Sequence, residues 1–254
     1  MAKVCVVGLG YIGLPTAITA AQHGYEVVGF DVDCDRVLRI NSAEPVIKEP
    51  LVAEQLAEVI RNGSFYASYQ IVCADYYIIA VPTPFKDGKR ADVSYVWQAL
   101  ESVAGVMRPG AVIIIESTIP VGTTNAAADW LAKKLGLRIG VDFFVAHCPE
   151  RVLPGRIFYE LVNNSRIIGG VDEASLEHAR QFYLPFVKSK LFLTNAVAAE
   201  MVKLVENSSR DVAIAFANQV AEMAEAAGLN PFDIIELANQ HPRVNILNPS
   251  CGVG

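Results

Sequence analysis

A chain of 254 residues that is 52% hydrophobic and 19% charged, with net charge −6, has material for one large or two modest cores and no basic excess of the kind a nucleic-acid partner demands. Its five cysteines (Cys5, Cys34, Cys73, Cys148 and Cys251) are odd in number and scattered without a Cys-x-x-Cys pair, which leaves no basis for a disulfide framework or a zinc site; no metal is expected. No apolar run reaches the length of a membrane span, and Met1 to Val4 leads into a strand without the shape of a signal peptide, so a cytoplasmic chain with no membrane partner is expected.

Lys3–Val7 is a short apolar run, followed by Gly8-Leu9-Gly10-Tyr11-Ile12-Gly13, an alanine-rich helix to about His23, and a second strand, Glu26–Phe30, ending at Asp31. A Gly-x-Gly-x-x-Gly motif alone is weak. Inside a strand–helix–strand frame, with an acid about twenty residues on, it reads as a Rossmann-like dinucleotide turn. Gly8 permits the tight turn, Gly10 lets a pyrophosphate approach the backbone and Gly13 lets the helix sit close on the sheet, its N-terminus facing the phosphates. Asp31 is placed to accept hydrogen bonds from ribose hydroxyls and to repel a 2′-phosphate, which selects NAD over NADP. Arg36 shields the phosphates, answers Asp31, or is a plain surface arginine.

A helix is read over Pro50–Asn62 and a buried strand over Tyr76–Val81 that runs into Pro82-Thr83-Pro84. Ligands of a doubly wound sheet sit at the carboxyl ends of its strands, and Thr83 is the polar candidate there. Phe85–Ala91 is charged and contains glycine, hence exposed, ahead of a helix from about Val93 to Met107. Val112–Ile115 is the next strand, ending in hydroxyls at Ser117 and Thr118, with a helix from about Asn125 to Leu135. The strand Asp142–Ala146 leads to Glu150 and Arg151, which are either a functional pair or a neutralised structural one. Arg166–Gly170 is a strand and Asp172–Phe186 a helix capped by Asp172.

From Asn195 to Ala227 the chain passes without Gly or Pro until Gly228, enough for a helix of roughly 50 Å at about 1.5 Å per residue. Its apolar residues fall on nearly every side, the mark of a helix packed all round. Glu200, Lys203, Asn207 and Arg210 share one face. They form either a solvated stripe closed by internal salt links or, with Asn207 between two cations, a wall suited to an anionic ligand. A helix over Asn230–Asn239, with Pro231 at its first position, precedes a glycine-containing segment.

Six stretches carry a resemblance: Gly8 to Gly13; Val81-Pro82-Thr83-Pro84; Glu116 to Thr123; Cys148-Pro149-Glu150-Arg151-Val152-Leu153-Pro154-Gly155; Glu200 to Asp211; and His241-Pro242-Arg243-Val244-Asn245. Together they resemble the UDP-glucose/GDP-mannose dehydrogenase family, over Lys3 to Gly254. The Glu150 to Gly155 and His241 to Asn245 stretches point to the branch that acts on UDP-N-acetyl-D-mannosamine. The resemblance implies oxidation of a nucleotide sugar's C6 alcohol to a carboxylate with two NAD per turnover, in polysaccharide biosynthesis. It implies an α/β, Rossmann-like doubly wound parallel sheet binding NAD over residues 1–190, then a long-helix, all-α dimerisation segment over 191–254 that makes a homodimer through 195–227. The family's C-terminal UDP-binding domain is absent from these residues.

By position, the resemblance puts Tyr11, Ile12, Asp31, Arg36, Thr83 and Thr118 on NAD. It puts Arg151, Val152, Lys203, Asn207, Arg210, His241, Arg243 and Gly254 on the UDP-sugar. Lys203 then exchanges the C6 proton, Asn207 donates to that oxygen, Glu150 assists the water step, and Thr118 completes the catalytic set. The family's nucleophilic cysteine follows a glycine loop and is expected beyond Gly254; Cys251 precedes the glycines and is out of register. The 254 residues alone are therefore expected to bind NAD without catalysing turnover. A UDP-glucose or other nucleotide-sugar 6-dehydrogenase, a β-hydroxyacid dehydrogenase and a non-catalytic NAD-binding dimer are the rival readings.

Overall fold

The structure, a computed structural model, describes residues 1–252. It divides into two compact units, residues 1–201 and 202–254. The first begins with β1 (Lys3–Val7), α1 (Gly13–Gln22), β2 (Glu26–Phe30), α2 (Cys34–Asn41), α3 (Val52–Arg61), β3 (Phe65–Ser68) and β4 (Tyr76–Ile79). A two-stranded hairpin, β5 (Phe85–Lys86) and β6 (Arg90–Ala91), interrupts the exposed 85–91 segment. There follow α4 (Ser94–Ala104), β7 (Val112–Ile115), α5 (Thr123–Leu135), β8 (Phe144–His147), α6 (Ile157–Asn163), β9 (Arg166–Gly170), α7 (Glu173–Tyr183) and β10 (Leu191–Asn195). α8 (Ala196–Ala226) crosses into the second unit, which also holds α9 (Pro231–Ala238).

The eight-stranded sheet has the order β10-β9-β8-β7-β4-β1-β2-β3, parallel except where β8 meets β9. Alternate residues of one strand enter opposite cores: Val4 and Val6 of β1 pack with Leu14, Ile18 and Phe182, whereas Cys5 and Val7 pack with Tyr77, Leu100 and Leu131. A parallel strand covered on both faces has no polar side, which is why β1, β4 and β7 read as unbroken apolar runs. The chain leaves β1 for β2 on one side and reaches β4 on the other, so the crevice between the carboxyl ends of β1 and β4 is the switch point where a ligand fits.

Six elements were not apparent in the sequence: α2, β3, β5, β6, α6 and β10. The long helix starts one residue later than its composition implies, because Asn195 closes β10 and its side chain accepts from Ala198 N–H at 2.9 Å as a cap. Within the second unit Ile214, Ala217, Val220 and Ala224 of α8 are buried, but Val205, Val212, Phe216 and Met223 are exposed, so the helix is not covered on all sides by this chain. Asn218 and Asn239 each use both amide atoms, on Ser250 and Ile246 respectively, to hold the following segment. Among the described residues no helix is long and apolar enough to cross a membrane.

Candidate active site

The glycine turn opens the switch point, and its three glycines are there for different reasons. Gly8 has φ +93°, and a Cβ on it would stand 2.6 Å from the Ala80 carbonyl oxygen. A Cβ on Gly13 would stand 1.8 Å from the Gly8 oxygen, so the turn cannot close onto α1 with any other residue. Gly10 differs: its backbone is not in the left-handed region, and the nearest atom to a Cβ is Arg36 Nη1 at 3.8 Å. Nothing within the chain requires glycine there. The open space above it leaves room for a ligand against the backbone.

A cavity of about 710 Å³ lies over this turn, bordered by Gly8, Gly10, Tyr11, Ile12, Asp31 and Arg36, with Val81, Pro82 and Tyr95 as apolar wall. Asp31 follows β2 directly and accepts the Leu9 N–H at 2.8 Å and the Asp33 N–H at 3.0 Å. Arg36 Nη1 lies 3.9 Å from Asp31 Oδ2 and 3.4 Å from the Leu9 oxygen, so Arg36 leans over the turn and answers Asp31. Of the residues expected on the cofactor, Gly13 is packed beneath the turn, and Thr83 and Thr118, both half-buried, do not border this cavity. Their two loops are joined: the Ser117 hydroxyl donates to the Val81 oxygen at 2.7 Å and accepts the Val81 N–H at 2.9 Å. The Tyr11 hydroxyl donates to Glu49, and burial followed by this bond pushes it up to about 12. The same Glu49 oxygen accepts the Gly155 N–H at 2.6 Å.

A buried polar cluster lies under the 148–152 loop. Glu150 accepts the N–H groups of Arg151 and Val152 through one oxygen, at 2.5 and 2.8 Å, while its other oxygen lies 3.7 Å from Arg166 Nη2. Arg166, from the first residue of β9, also stands 3.6 Å from Glu116 and over the Tyr183 ring. Glu116 accepts from the Tyr183 hydroxyl at 2.8 Å and the Thr16 hydroxyl at 3.2 Å. Burial is the main force raising its carboxyl to about 7, with Arg166 opposing. Two carboxylates around one guanidinium leave an excess negative charge, and the nearby Glu150 carboxylate adds to burial in raising Glu116. Arg151 N–H thus serves Glu150, and its guanidinium donates to the Ser165 oxygen at 3.3 Å.

The sequence did not single out Glu49, Arg166 or Tyr183; the available signal was a charged residue, Glu116 or Arg166, at the end of an otherwise apolar strand. In the second unit Lys203 and Asn207 are half-buried, and Arg210, His241 and Arg243 are exposed. His241 Nδ1 accepts the Arg243 N–H at 3.3 Å. Glu200 does not extend a solvated stripe, since it is buried within the first unit at the N-terminus of α5. Gly254 lies outside the described residues.

Comparison with known proteins bears on this cavity directly. Residues 2–187 match the UDP-glucose/GDP-mannose dehydrogenase family, NAD binding domain, and residues 197–254 match the central domain of the same family. The chain is 51% identical to the UDP-N-acetyl-D-mannosamine dehydrogenase of Pyrococcus horikoshii over 99% of its own length and 61% of that relative's. The structure of the P. horikoshii UDP-D-ManNAc dehydrogenase superposes with a TM-score of 0.95, covering 99% of this chain and 61% of that one. The native Staphylococcus aureus UDP-N-acetyl-mannosamine dehydrogenase, at 44% identity, gives 0.93, covering 100% of this chain and 62% of that one. With both of its parts matched in order, the chain belongs to the UDP-glucose/GDP-mannose dehydrogenase family, and the dinucleotide of its first domain is NAD.

Proposed function

We propose that this chain forms the cofactor-binding part, near residues 1–190, and the central helical part, near 191–254, of an enzyme that oxidises the C6 alcohol of UDP-N-acetyl-D-mannosamine to the carboxylate, in the cytoplasm and for polysaccharide biosynthesis. The observation that carries the cofactor reading is Gly10, a glycine whose missing Cβ faces an open cavity and which nothing in the chain requires. The sugar is the one the relatives' names state.

Bound NAD supplies a hydride acceptor, and a four-electron oxidation consumes two NAD and one water. The chain's own residues bind and orient. The turn from Gly8 to Gly13 and the N-terminus of α1 would hold the pyrophosphate, and Tyr11 and Ile12, which line the same cavity, would help to hold the NAD. Asp31 takes the ribose hydroxyls and Arg36 balances the charge. Val81, Pro82 and Tyr95 offer apolar surface to the adenine, and Thr83 and Thr118 serve the nicotinamide end.

Lys203 accepts the C6 hydroxyl proton and stabilises the negative charge left on that oxygen, and Asn207 donates to the oxygen without adding charge. Glu150 activates the water, with its second oxygen 3.7 Å from Arg166 Nη2. Arg151, Val152, Arg210, His241, Arg243 and Gly254 hold the sugar nucleotide. A homodimer through 195–227 covers the apolar flank that Val205, Val212, Phe216 and Met223 expose.

Calorimetric titration of the 254-residue chain tests the cofactor half: NAD binds and NADP binds at least tenfold more weakly, by roughly the energy of one charge-assisted contact. Tighter NADP binding overturns it. Absorbance at the NADH band tests the rest. Cys251 is out of register for the nucleophile, so this polypeptide alone is expected to give no NADH with UDP-N-acetyl-D-mannosamine. Turnover with UDP-glucose instead would reassign the sugar.

A further inference from the structure

Tyr11 and Gly155 belong to loops that are far apart in sequence, and one side chain joins them. Glu49 Oε1 accepts the Tyr11 hydroxyl, 38 residues away, and the Gly155 N–H at 2.6 Å, 106 residues away. Tyr11 borders the dinucleotide cavity. Gly155 closes the loop that carries Arg151 and Val152. The second oxygen of Glu49 is buried without a partner, so this carboxylate is withdrawn from solvent on that side.

The segment that presents Glu49 is not in a relaxed conformation. Ala43 (φ 59°) and Leu51 (φ 68°) bracket it, both in the left-handed region that residues with a Cβ avoid. A connection with disfavoured backbone at both ends is held by its contacts and not by local preference. Upstream it is pinned by Arg39, which reaches Glu44 and the Pro45 oxygen, each at 3.2 Å. Downstream, Glu49 is the contact that ties it to the two loops.

We propose that Glu49 is a positioning residue that couples the dinucleotide turn to the 151–155 loop, so that NAD seated against Tyr11 orders the loop intended for the sugar nucleotide. The inference rests on the assignments of Tyr11 to NAD and of Arg151 and Val152 to the sugar. Mechanically, cofactor that restrains the Tyr11 ring restrains its hydroxyl, hence Glu49, hence the Gly155 amide. The loop is then ordered before substrate arrives, which lowers the entropy lost on substrate binding.

Amide hydrogen exchange on the 254-residue chain with saturating NAD tests this without turnover. In the wild-type chain NAD slows exchange at Gly155 by about tenfold, the effect of one hydrogen bond becoming persistent. In Glu49→Ala that response is lost even at saturating NAD. In Glu49→Gln it is retained, because the amide oxygen still accepts from both donors. Tyr11→Phe, which removes one oxygen atom only, also loses the response and decides the matter if Glu49→Ala does not fold. A Gly155 response that survives in Glu49→Ala or in Tyr11→Phe overturns the proposal, as does a wild-type chain that binds NAD by calorimetry with no change at Gly155. The last outcome leaves the cofactor reading standing, whereas a chain that binds no NAD removes both.

Discussion

Glu200 caps a helix to which it does not belong: its carboxylate accepts the Thr124 N–H at 2.7 Å and the Thr124 hydroxyl at 2.6 Å, and its other oxygen takes the Gly122 N–H at 2.5 Å. α5 has no acidic residue in its first turn and no cap from its own N-cap residue, Gly122, so Glu200 supplies the acceptors that the first N–H groups need. A buried negative charge there also meets the positive end of the helix dipole. The first turn of α8 is thereby tied to the loop that contains Thr118.

Removing that carboxylate leaves two buried donors of Thr124 and the half-buried Gly122 N–H without this acceptor. Glu200→Ala is therefore expected to lower stability by roughly 3 kcal/mol, and Thr124→Val, which deletes only one donor, by about 1 kcal/mol. Thermal unfolding of both variants checks the order. An unshifted midpoint for Glu200→Ala would mean that water replaces the carboxylate and that the tie contributes little.

Gly10 and Gly13 make opposite predictions although they belong to one motif. Gly13→Ala puts a Cβ 1.8 Å from the Gly8 oxygen and must disrupt the turn, so the fold loses stability. Gly10→Ala has open space, with its nearest neighbour at 3.8 Å, and is expected to change stability by less than about 0.5 kcal/mol while abolishing NAD binding in calorimetry. If Gly10→Ala binds NAD as well as the parent chain, the pyrophosphate does not lie where the turn implies.

Asp31 has a structural task beside its expected one. Because its carboxylate accepts the Leu9 and Asp33 N–H groups, Asp31→Ala weakens both the turn and the cofactor site. Asp31→Asn retains an acceptor for Leu9 and removes the charge. NAD affinity should fall about tenfold in the Asn variant and NADP affinity should rise relative to it, because the repulsion of a 2′-phosphate is lost. An unchanged NAD to NADP ratio would place the ribose elsewhere.

What was legible in the sequence was local. β1, β4 and β7 could be read because a strand buried on both faces is apolar throughout, and the glycine turn because Gly8, Gly10, Gly13 and Asp31 fall at fixed spacing around a single strand–helix–strand unit. β3 was not legible: Phe65–Ser68 is a four-residue edge strand whose residues alternate between buried and exposed, a pattern too short to separate from a loop. β10 runs into α8 without a break, so its five residues were hidden beside the longer signal. The links from Glu49 to Tyr11 and Gly155, and from Glu116 to Thr16 across 100 residues, arise only when the sheet brings strand ends together. No spacing rule contains them.

Leu51 offers a test of backbone strain. It precedes α3 with φ 68° and its side chain is 58% exposed, so the residue holds a left-handed conformation and gains little from burial in return. Leu51→Gly should raise stability by about 1 kcal/mol, the order of the cost of a non-glycine residue there less the extra freedom of glycine in the unfolded chain. A lower unfolding midpoint would show that the Leu51 side chain contributes packing that outweighs the strain.

The buried cluster predicts a pH dependence with two opposing parts. Glu116 is wholly buried and its carboxyl is raised from 4.5 to about 7, so between those values the folded chain holds a proton that the unfolded chain has released. Stability from this group is therefore fully present below 4.5 and declines as pH rises to 7. His147 acts in the other direction. Burial lowers it from 6.5 to about 4, with the Ile115 backbone opposing more weakly, so folding disfavours the imidazolium and stability is lost as pH falls from 6.5 to 4. Glu116→Gln isolates the first part, because Gln resembles the protonated acid and cannot titrate. The difference in unfolding free energy, variant minus parent, should rise steadily from pH 4.5 to 7 and be level below 4.5. Denaturant unfolding at intervals across that range measures it. A difference that stays level throughout would mean that Arg166 keeps Glu116 ionised, with the cluster carrying its excess negative charge unneutralised.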